Sequence, residues 1–211
     1  MIEKTDLQHR LSTATHSRGV KEVEAVLRGA VDFNKEAENR ATQLSPGENL
    51  VVADIACGGG NWLQQMVQAL PGHLEASGFP GVQVKGIGLD LNPLGTPESE
   101  NVVFVKGDAT HMTEIGDASV DIGVSFFGGH YVEDMLAALV SSHRILKPGG
   151  TFYWVVPPEF VSSPGIDKIL AATPNSEKWF ELKNMGWNDT APLIVCKRST
   201  DPQETFPGFP Y

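Results

Sequence analysis

Short apolar runs alternate with segments of helical spacing along most of the chain, and this alternation constrains the fold more than any other feature. The runs are apolar almost throughout, which is typical of parallel strands that helices cover on both faces. The predicted strands are Leu50–Ile55, Val82–Leu89, Val102–Val105, Val120–Ser125 and Thr151–Val156. The predicted helices between them are Trp62–Leu70 and Tyr131–Leu146, the second of which ends before Lys147-Pro148-Gly149-Gly150.

Two further strand candidates, Trp179–Lys183 and Pro192–Lys197, have no helix between them. Because consecutive strands without a crossover pair antiparallel, they are expected to close the sheet as a hairpin. The predicted fold is α/β, with a doubly wound, seven-stranded and mostly parallel sheet. Residues 49–198 are predicted to form this domain.

The two ends of the chain have different patterns. From Val20 toward Gln43 apolar residues recur at intervals of three and four, which predicts an amphipathic helix, and Lys4–Ala14 is a shorter helical candidate. Residues 1–48 are therefore predicted to form a helical cap or lid. Residues 199–211 are rich in proline and aromatic residues and are predicted to be a poorly ordered tail.

Composition narrows the possible partners. The 211 residues carry a formal net charge of −10, and most of the acidic excess lies after residue 50. That field disfavours nucleic acid and anionic membranes as partners. No signal peptide or membrane-spanning run is visible, and the two cysteines lack metal-site spacing. We expect a cytoplasmic protein without a metal ion.

The stretch DIACGGGNW, Asp54 to Trp62, joins the first predicted strand to a helix, as ligand-binding turns often do. A phosphate-binding P-loop requires Gly-Lys-Ser/Thr, but Asn61-Trp62 follows the glycines. The dinucleotide fingerprint lacks its third glycine, because Leu63 stands there. A carboxylate about 4 Å from a pyrophosphate would also cost about 4 kcal/mol per charge pair at an effective dielectric of about 20. Asp54 instead favours an ammonium or sulfonium group.

Further motifs follow the later strands in order. "VVADIACGGG" resembles the first motif of the class I (Rossmann-like) S-adenosylmethionine-dependent methyltransferases, with Ala56 in place of its first glycine. "GIGLDLN", "VKGDATHM", "SVDIGVSFFGGHYVED" and "LKPGGTFYWVV" resemble the later motifs of that family, over roughly Leu50 to Lys197. The interval of 36 residues between Asp54 and Asp90 is long, and "PGHLEASGFPGVQ" is interpreted as a surface insertion after the first helix.

The resemblance implies S-adenosylmethionine as the cofactor and S-adenosylhomocysteine as the product. Asp54 and the backbone from Ala56 to Gly60 would hold the methionine moiety, Asp90 the ribose hydroxyls, and Asp108 with Ala109 the adenine edge. The residues implied in cofactor binding are Asp54, Ala56, Cys57, Gly58, Gly60, Asp90, Leu91, Asp108, Ala109, Ser125 and Phe126.

The segment at the end of the fourth strand contains the candidate residues for catalysis and for binding the acceptor. His130 is a candidate base for the acceptor, or alternatively a cap of the helix predicted from Tyr131. Phe126 or Phe127 could face the sulfonium by cation–π attraction, while the other packs in the core. Phe127, Tyr131 and Glu159 are candidate acceptor-binding residues.

The acceptor is predicted to be a small molecule. The fourth strand does not end in the Asn-Pro-Pro-Tyr or Asp-Pro-Pro-Tyr signature of enzymes that methylate nucleic-acid bases, and the body is acidic. Two alternatives stay open: a methyltransferase-like chain that binds a partner without turnover, and an NAD(P)-dependent oxidoreductase.

Overall fold

The computed structural model describes residues 30–93, 99–126, 128, 132, 134–155, 180–184 and 192–201. Three helices fall within these ranges: α1 (Phe33–Ala41), α2 (Asn61–Ala76) and α3 (Met135–Ile145). The strands are β1 (Leu50–Ile55), β2 (Val84–Asp90), β3 (Val102–Lys106), β4 (Val120–Phe126), β5 (Leu146–Val155), β6 (Phe180–Asn184) and β7 (Pro192–Lys197). The predicted helix Lys4–Ala14 lies outside the described residues, and so does the first part, residues 20–29, of the helix predicted from Val20 toward Gln43.

The seven strands form one sheet in the order β3-β2-β1-β4-β5-β7-β6. Strands β1 to β5 pair in parallel, whereas β7 is antiparallel to both β5 and β6. The predicted doubly wound, mostly parallel sheet and its closing hairpin are confirmed. The chain winds outward from β1 to β3 and returns to β4, so the order reverses between β1 and β4, where ligands bind in open sheets of this kind.

The sheet lies between two layers of apolar side chains. The cluster on one face joins α1 and α2 to the sheet, and Phe33, Trp62, Leu63, Leu70 and Leu74 are among its members. The cluster on the other face includes Met112, Ile115, Leu139, Ile145 and Trp154. Strand β4 is buried from Val120 to Ser125, which explains its nearly continuous apolar sequence.

Helix α2 is longer than predicted. It continues past Leu70 through Pro71 to Ala76, so the first part of the supposed surface insertion belongs to the helix. Proline removes one backbone hydrogen bond inside a helix. The next turn nevertheless places Leu74 in the core, where it is fully buried. Burying a leucine side chain contributes about 1.5–3 kcal/mol, which offsets much of that cost.

An aspartate determines the first residue of α1 and of α3, and α3 begins later than predicted. The Asp32 carboxylate accepts a hydrogen bond from the Lys35 N–H, and the Asp134 carboxylate accepts one from the Ala137 N–H, each at the amino end of its helix. These side chains satisfy N–H groups that the first turn leaves without intrahelical partners. Because Asp134 is the N-cap of α3, the helix does not begin at Tyr131.

Strand β5 begins before the predicted Thr151. The backbone is already extended at Leu146, and a register irregularity between Val120 and Ile122 absorbs the Lys147–Gly150 segment. The Gly149 N–H donates to the Arg198 carbonyl oxygen, and the Arg198 N–H donates to the Gly150 carbonyl oxygen. These bonds continue the pairing with the chain that follows β7, so the segment lies within the sheet and does not form a separate turn.

An ion network holds α1 at the amino end of the sheet. Arg40 on α1 donates from Nη2 to Asp121 Oδ1 at 2.8 Å, and Lys147 Nζ lies 3.0 Å from Asp121 Oδ2. The Val51 N–H also donates to Asp121 Oδ2, at 2.8 Å. Arg40 also donates from Nη1 to the Pro148 carbonyl oxygen, at 3.0 Å. The network links α1, β1, β4 and the start of β5.

In the part of the chain that the structure describes, no helix has the length and apolar character needed to cross a membrane.

Candidate active site

The glycine-rich loop follows β1 at the point where strand order reverses. Ala56, Gly58 and Gly60 have φ values of 56°, 53° and 65°, so the loop turns through the left-handed region three times. The Cys57 N–H donates to the Leu89 carbonyl oxygen and the Gly60 N–H to that of Cys57. Gly60 is the N-cap of α2 and provides no side-chain cap, which leaves N–H groups of the first helical turn for a ligand.

Phe104 on β3 explains why two glycines are needed near the loop. A Cβ on Gly60 would lie 2.2 Å from its ring, and a Cβ on Gly88 would lie 2.4 Å from it. The aromatic ring therefore fills the space that side chains at these positions would occupy. Sequence reasoning missed Phe104, because its contacts depend on the β2–β3 register, which pairs Gly88 with Phe104.

Asp54 lies near the carboxyl end of β1 and is only 4% exposed. No described residue donates a hydrogen bond to its carboxylate. Burial, together with the nearby negative charge of Asp90, raises the pKa of Asp54 well above its usual value. A buried carboxylate without a partner is unfavourable unless a cation or a donor reaches it. This position can therefore receive the ammonium or sulfonium of a cationic ligand.

Asp90 ends β2 and faces the same loop. Its Oδ2 accepts a hydrogen bond from the Gly58 N–H at 2.9 Å, and its Oδ1 accepts one from the Asn92 N–H at 2.9 Å. A carboxylate oxygen can accept two hydrogen bonds, so hydroxyl groups of a ligand can still donate to Asp90. Leu91 beside it is 62% exposed, one of two large apolar side chains that stand out in the described part.

Asp108 follows β3 at the third strand end. Its Oδ1 accepts hydrogen bonds from both the N–H and the hydroxyl of Thr110, each at 2.8 Å. These bonds lower the pKa of Asp108, with the backbone bond as the largest cause. Ala109 is 8% exposed and packs in the second core cluster. The turn is thus ordered around a carboxylate whose Oδ2 accepts no hydrogen bond from the described residues.

Ser125 and Phe126 end β4 beside the loop. Ser125 is fully buried, and its hydroxyl has no hydrogen-bond partner among the residues described. A Cβ on Gly128 would lie 2.8 Å from Ser125 Oγ and 2.4 Å from Ala56 Cβ, so these three residues meet where β1 and β4 end. Phe126 is partly buried and packs on the apolar core.

Aromatic rings line the α1 and α2 side of this region. The ring centroid of Trp62 lies 4.9 Å from that of Phe126 and 5.3 Å from that of Phe33. The centroid of Phe33 lies 5.7 Å from that of Tyr153. Trp62 is therefore a core residue at the start of α2. Its indole N–H, like the Ser125 hydroxyl, is buried without a partner in the described part of the chain.

Cys57 is not activated as a nucleophile. Burial raises the pKa of the Cys57 thiol, and the carboxylates of Asp54 and Asp90 raise it further. Because the thiolate is the reactive form, a raised pKa makes the thiol inert at neutral pH. Cys57 is thus a small residue of the loop, as its position against Gly88 indicates.

Four predicted residues lie outside the described ranges: the candidate base His130 and the candidate acceptor residues Phe127, Tyr131 and Glu159. The alternative role of His130 as the cap of the following helix loses its support, because Asp134 fills the N-cap of α3. The structure thus brings together the predicted cofactor residues at the ends of β1, β2, β3 and β4.

Comparisons with known proteins identify the domain. The model of a methyltransferase domain family matches residues 53–154. Ribosomal RNA large subunit methyltransferase E of Desulfatibacillum aliphaticivorans is 32% identical over 133 residues, which cover 56% of this chain and 58% of that protein. Demethylmenaquinone methyltransferase of Staphylococcus epidermidis is 32% identical over 97 residues, which cover 46% of this chain and 39% of that protein. The chain therefore matches less than two thirds of the length of either relative.

A solved structure shares the fold. Phosphoethanolamine N-methyltransferase 2 of Haemonchus contortus, in complex with phosphomonomethylethanolamine and S-adenosylhomocysteine, has a TM-score of 0.52 and 15% sequence identity. The similarity covers 79% of this chain and 52% of that one. The matched domain begins one residue before Asp54 and contains the glycine-rich loop, Asp90, Asp108 and Ser125. Residues 53–154 thus match a methyltransferase domain, and the chain shares the fold of a methyltransferase solved with S-adenosylhomocysteine.

Proposed function

We propose that the chain transfers a methyl group from S-adenosylmethionine to O, N or C of a small-molecule acceptor. The observation that carries this proposal is the carboxylate of Asp54, which is buried, close to the charge of Asp90, and without a donor among the described residues. A positive group about 4 Å away would interact with such a carboxylate by about 4 kcal/mol at an effective dielectric of about 20. The α-ammonium and sulfonium of the cofactor are such groups.

Each strand end has a separate role in this proposal. The loop from Ala56 to Gly60 and the start of α2 bind the methionine moiety, Asp90 accepts from the ribose hydroxyls, and Asp108 with Ala109 contacts adenine. When bound, the cofactor supplies an electrophilic methyl on a positively charged sulfur. The protein then needs chiefly to align the acceptor with that methyl, since alignment alone supplies much of the rate of such a displacement.

His130 is proposed as the base that takes a proton from the acceptor. Phe127, Tyr131 and Glu159 are proposed to bind the acceptor, and residues 1–48 to form a cap over it. The position of Phe33 supports the cap, because this first residue of α1 packs against Phe126 at the end of β4, with ring centroids 6.2 Å apart. The chain therefore enters α1 beside the proposed acceptor site. The poorly ordered tail 199–211 and a cytoplasmic location stay predictions from the sequence.

Ligand binding to Asp54→Asn tests the cofactor site. Titration calorimetry would compare S-adenosylmethionine, S-adenosylhomocysteine and 5′-methylthioadenosine, which carry two, one and no cationic groups. We expect the variant to lose affinity in that order, by up to about 1000-fold for the first ligand. Glu75→Gln removes an equal charge from an exposed position on α2 and should change none of the three. Equal losses for all three ligands would contradict the proposed role of Asp54.

Cofactor choice is tested by thermal unfolding with the adenosyl compounds, NAD and NADP in parallel. A ligand at about a hundredfold excess over its Kd adds about 2.7 kcal/mol, which should raise the Tm by about 5–10 °C. We expect this shift with the adenosyl compounds. A shift with NAD or NADP alone would instead support the oxidoreductase alternative.

RNA is the second acceptor class, because one relative of this chain is a ribosomal RNA methyltransferase. The net charge of −10 argues for the small molecule instead. Transfer of labelled methyl from the cofactor would be followed with pooled small metabolites and with ribosomal RNA. Label in RNA would overturn the small-molecule acceptor.

Label in neither, together with normal cofactor binding and loss of partner capture on deleting residues 199–211, would favour the silent partner-binding alternative.

In the same assay, His130→Ala should lower kcat more than it weakens cofactor binding. Unchanged turnover would remove His130 as the base.

A further inference from the structure

The segment from Gly107 to Ser119 joins β3 to β4 and carries Asp108, the residue proposed to contact adenine. Two of its residues, Met112 and Ala118, have φ values of 45° and 49°, which side chains other than glycine rarely adopt. Such a conformation persists only where surrounding contacts impose it. The contacts that hold this segment come from α3 on the same face of the sheet.

Arg144, in the last turn of α3, provides most of these contacts. Its Nη2 donates to the carbonyl oxygens of His111 at 3.1 Å and Met112 at 2.7 Å. Its Nη1 donates to the Ile115 carbonyl oxygen at 3.1 Å and to the carboxylate of Asp117. One guanidinium thus fixes four residues of the segment, including the strained Met112. A lysine ammonium could not reproduce this planar pattern.

The end of the segment is held by backbone bonds to the same part of α3. The Ala118 N–H donates to the Arg144 carbonyl oxygen, and the Ser119 N–H donates to that of Ile145. Arg198 in turn donates from Nη1 to the Arg144 carbonyl oxygen at 3.1 Å. The carboxyl end of α3 is therefore fixed on both sides.

Ser141 makes a second, shorter connection from α3. Its hydroxyl donates to the Thr110 carbonyl oxygen at 2.7 Å. Thr110 also donates from its N–H and its hydroxyl to Asp108 Oδ1. The orientation of the Asp108 carboxylate therefore depends on Thr110, and the position of Thr110 depends on Ser141.

We infer that Ser141 and Arg144 are positioning residues that set the preference of this site for adenine over other purines. This inference rests on the proposed adenine contact of Asp108. Adenine presents an amino group that donates to a carboxylate oxygen, whereas hypoxanthine presents a carbonyl oxygen there and would be repelled. A fixed carboxylate distinguishes the two, but a carboxylate that can turn away does not.

The test measures the affinity of the full chain for S-adenosylhomocysteine and for S-inosylhomocysteine, in which an oxo group replaces the adenine amino group. The ratio of the two affinities isolates recognition of the purine edge, because the homocysteine and ribose parts are identical. We expect the unaltered chain to favour the adenine compound by about a hundredfold. Ser141→Ala and Arg144→Lys should each lower this ratio by about tenfold.

Two further variants make the result specific. Thr113→Ala removes an exposed side chain from the same segment, one whose hydroxyl bonds only to the neighbouring Glu114 among the described residues, and should leave the ratio unchanged. Asp108→Asn should lower the ratio at least as much as the α3 variants. Ser141→Ala removes a single oxygen, so it tests the inference even if Arg144→Lys fails to fold.

The outcomes separate the inference from the function on which it rests. If Asp108→Asn lowers the ratio but Ser141→Ala does not, the positioning role of α3 is wrong and the adenine contact stands. Equal losses of affinity for both compounds in the α3 variants would likewise overturn the inference, because they would indicate general destabilisation. An unchanged ratio in Asp108→Asn would overturn the adenine contact and the inference with it.

Discussion

Asp54 and Asp121 lie at opposite ends of the sheet, and both are buried, with exposures of 4% and 0%. Asp121, at the amino end, receives bonds from Arg40 and the Val51 N–H and lies 3.0 Å from Lys147 Nζ. Asp54, near the carboxyl end, receives none from the described residues and has Asp90 nearby. Folding itself compensates the charge of Asp121, whereas the charge of Asp54 is the one that we propose a ligand compensates. Burial alone therefore does not distinguish a structural aspartate from a binding one, but the presence of partners does.

The largest expected effect comes from breaking the compensated pair. Asp121→Ala would leave Arg40, which is 3% exposed, buried without its carboxylate. Removing one partner of a buried ion pair costs about 3–5 kcal/mol. Urea unfolding at neutral pH should show a loss of this size. The double variant Arg40→Met with Asp121→Leu should lose much less than the sum of the single changes, because no buried charge remains uncompensated.

A loss below about 1 kcal/mol in Asp121→Ala would contradict the comparison. It would mean that water reaches the amino end of the sheet and replaces the ion pair.

The second largest expected effect is an increase in stability, where the first was a loss. Asp54→Asn should stabilise the ligand-free protein by about 1–2 kcal/mol at neutral pH, because it removes a buried charge that has no donor among the described residues. The pKa of Asp54 is raised in the folded state, so the native form holds the proton more tightly than the unfolded chain does. Its favourable contribution is present below the unfolded pKa of about 3.8 and is lost as the pH rises through the folded pKa.

The stability difference between Asp54→Asn and the unaltered chain should therefore grow as the pH rises from about 4, and denaturant unfolding across that range would measure it. Saturating S-adenosylmethionine should reverse the order of stability at neutral pH, since only the unaltered chain binds it tightly. A variant less stable than the unaltered chain without ligand would mean that Asp54 has a structural partner.

The smallest effect concerns backbone strain at the binding end. Ala56 has a φ of 56°, a region that costs an alanine about 1 kcal/mol more than a glycine. Glycine loses more entropy on folding, by about 0.5–1 kcal/mol, so Ala56→Gly should change the free energy of unfolding by less than about 1 kcal/mol. Thermal unfolding checks this. A larger loss would show that the Ala56 methyl group, which meets Gly128, contributes more to packing than the strain costs.

The sheet could be predicted from the sequence because its strands are apolar almost throughout and fall in a regular order with helices. The ends of the elements were less predictable. Pro71-Gly72 is a common stop signal, yet the burial of Leu74 carries α2 beyond it. Asp32 and Asp134 are ordinary N-cap residues, and their positions would have given the starts of α1 and α3.

Part of the candidate site could likewise be predicted from the sequence, and part could not. Asp54, Asp90 and Asp108 could be predicted because each lies at or just after the carboxyl end of a strand, and parallel strands bring these ends together. Other contacts could not be predicted, because they depend on strand register and on the packing of helices distant in sequence. These are the contacts of Phe104, Arg40 and Arg144. Arg40 and Asp121, for instance, are 81 residues apart.

The packing of Phe104 against Gly60 and Gly88 has a consequence for how such chains diverge. The aromatic ring occupies the volume that side chains at both glycines would need, so the three positions share one fixed space. A substitution at either glycine becomes acceptable only after the ring is replaced by something smaller. Relatives that keep this loop should therefore exchange volume among the three positions together, which makes them a co-varying set that an alignment of close homologues can reveal.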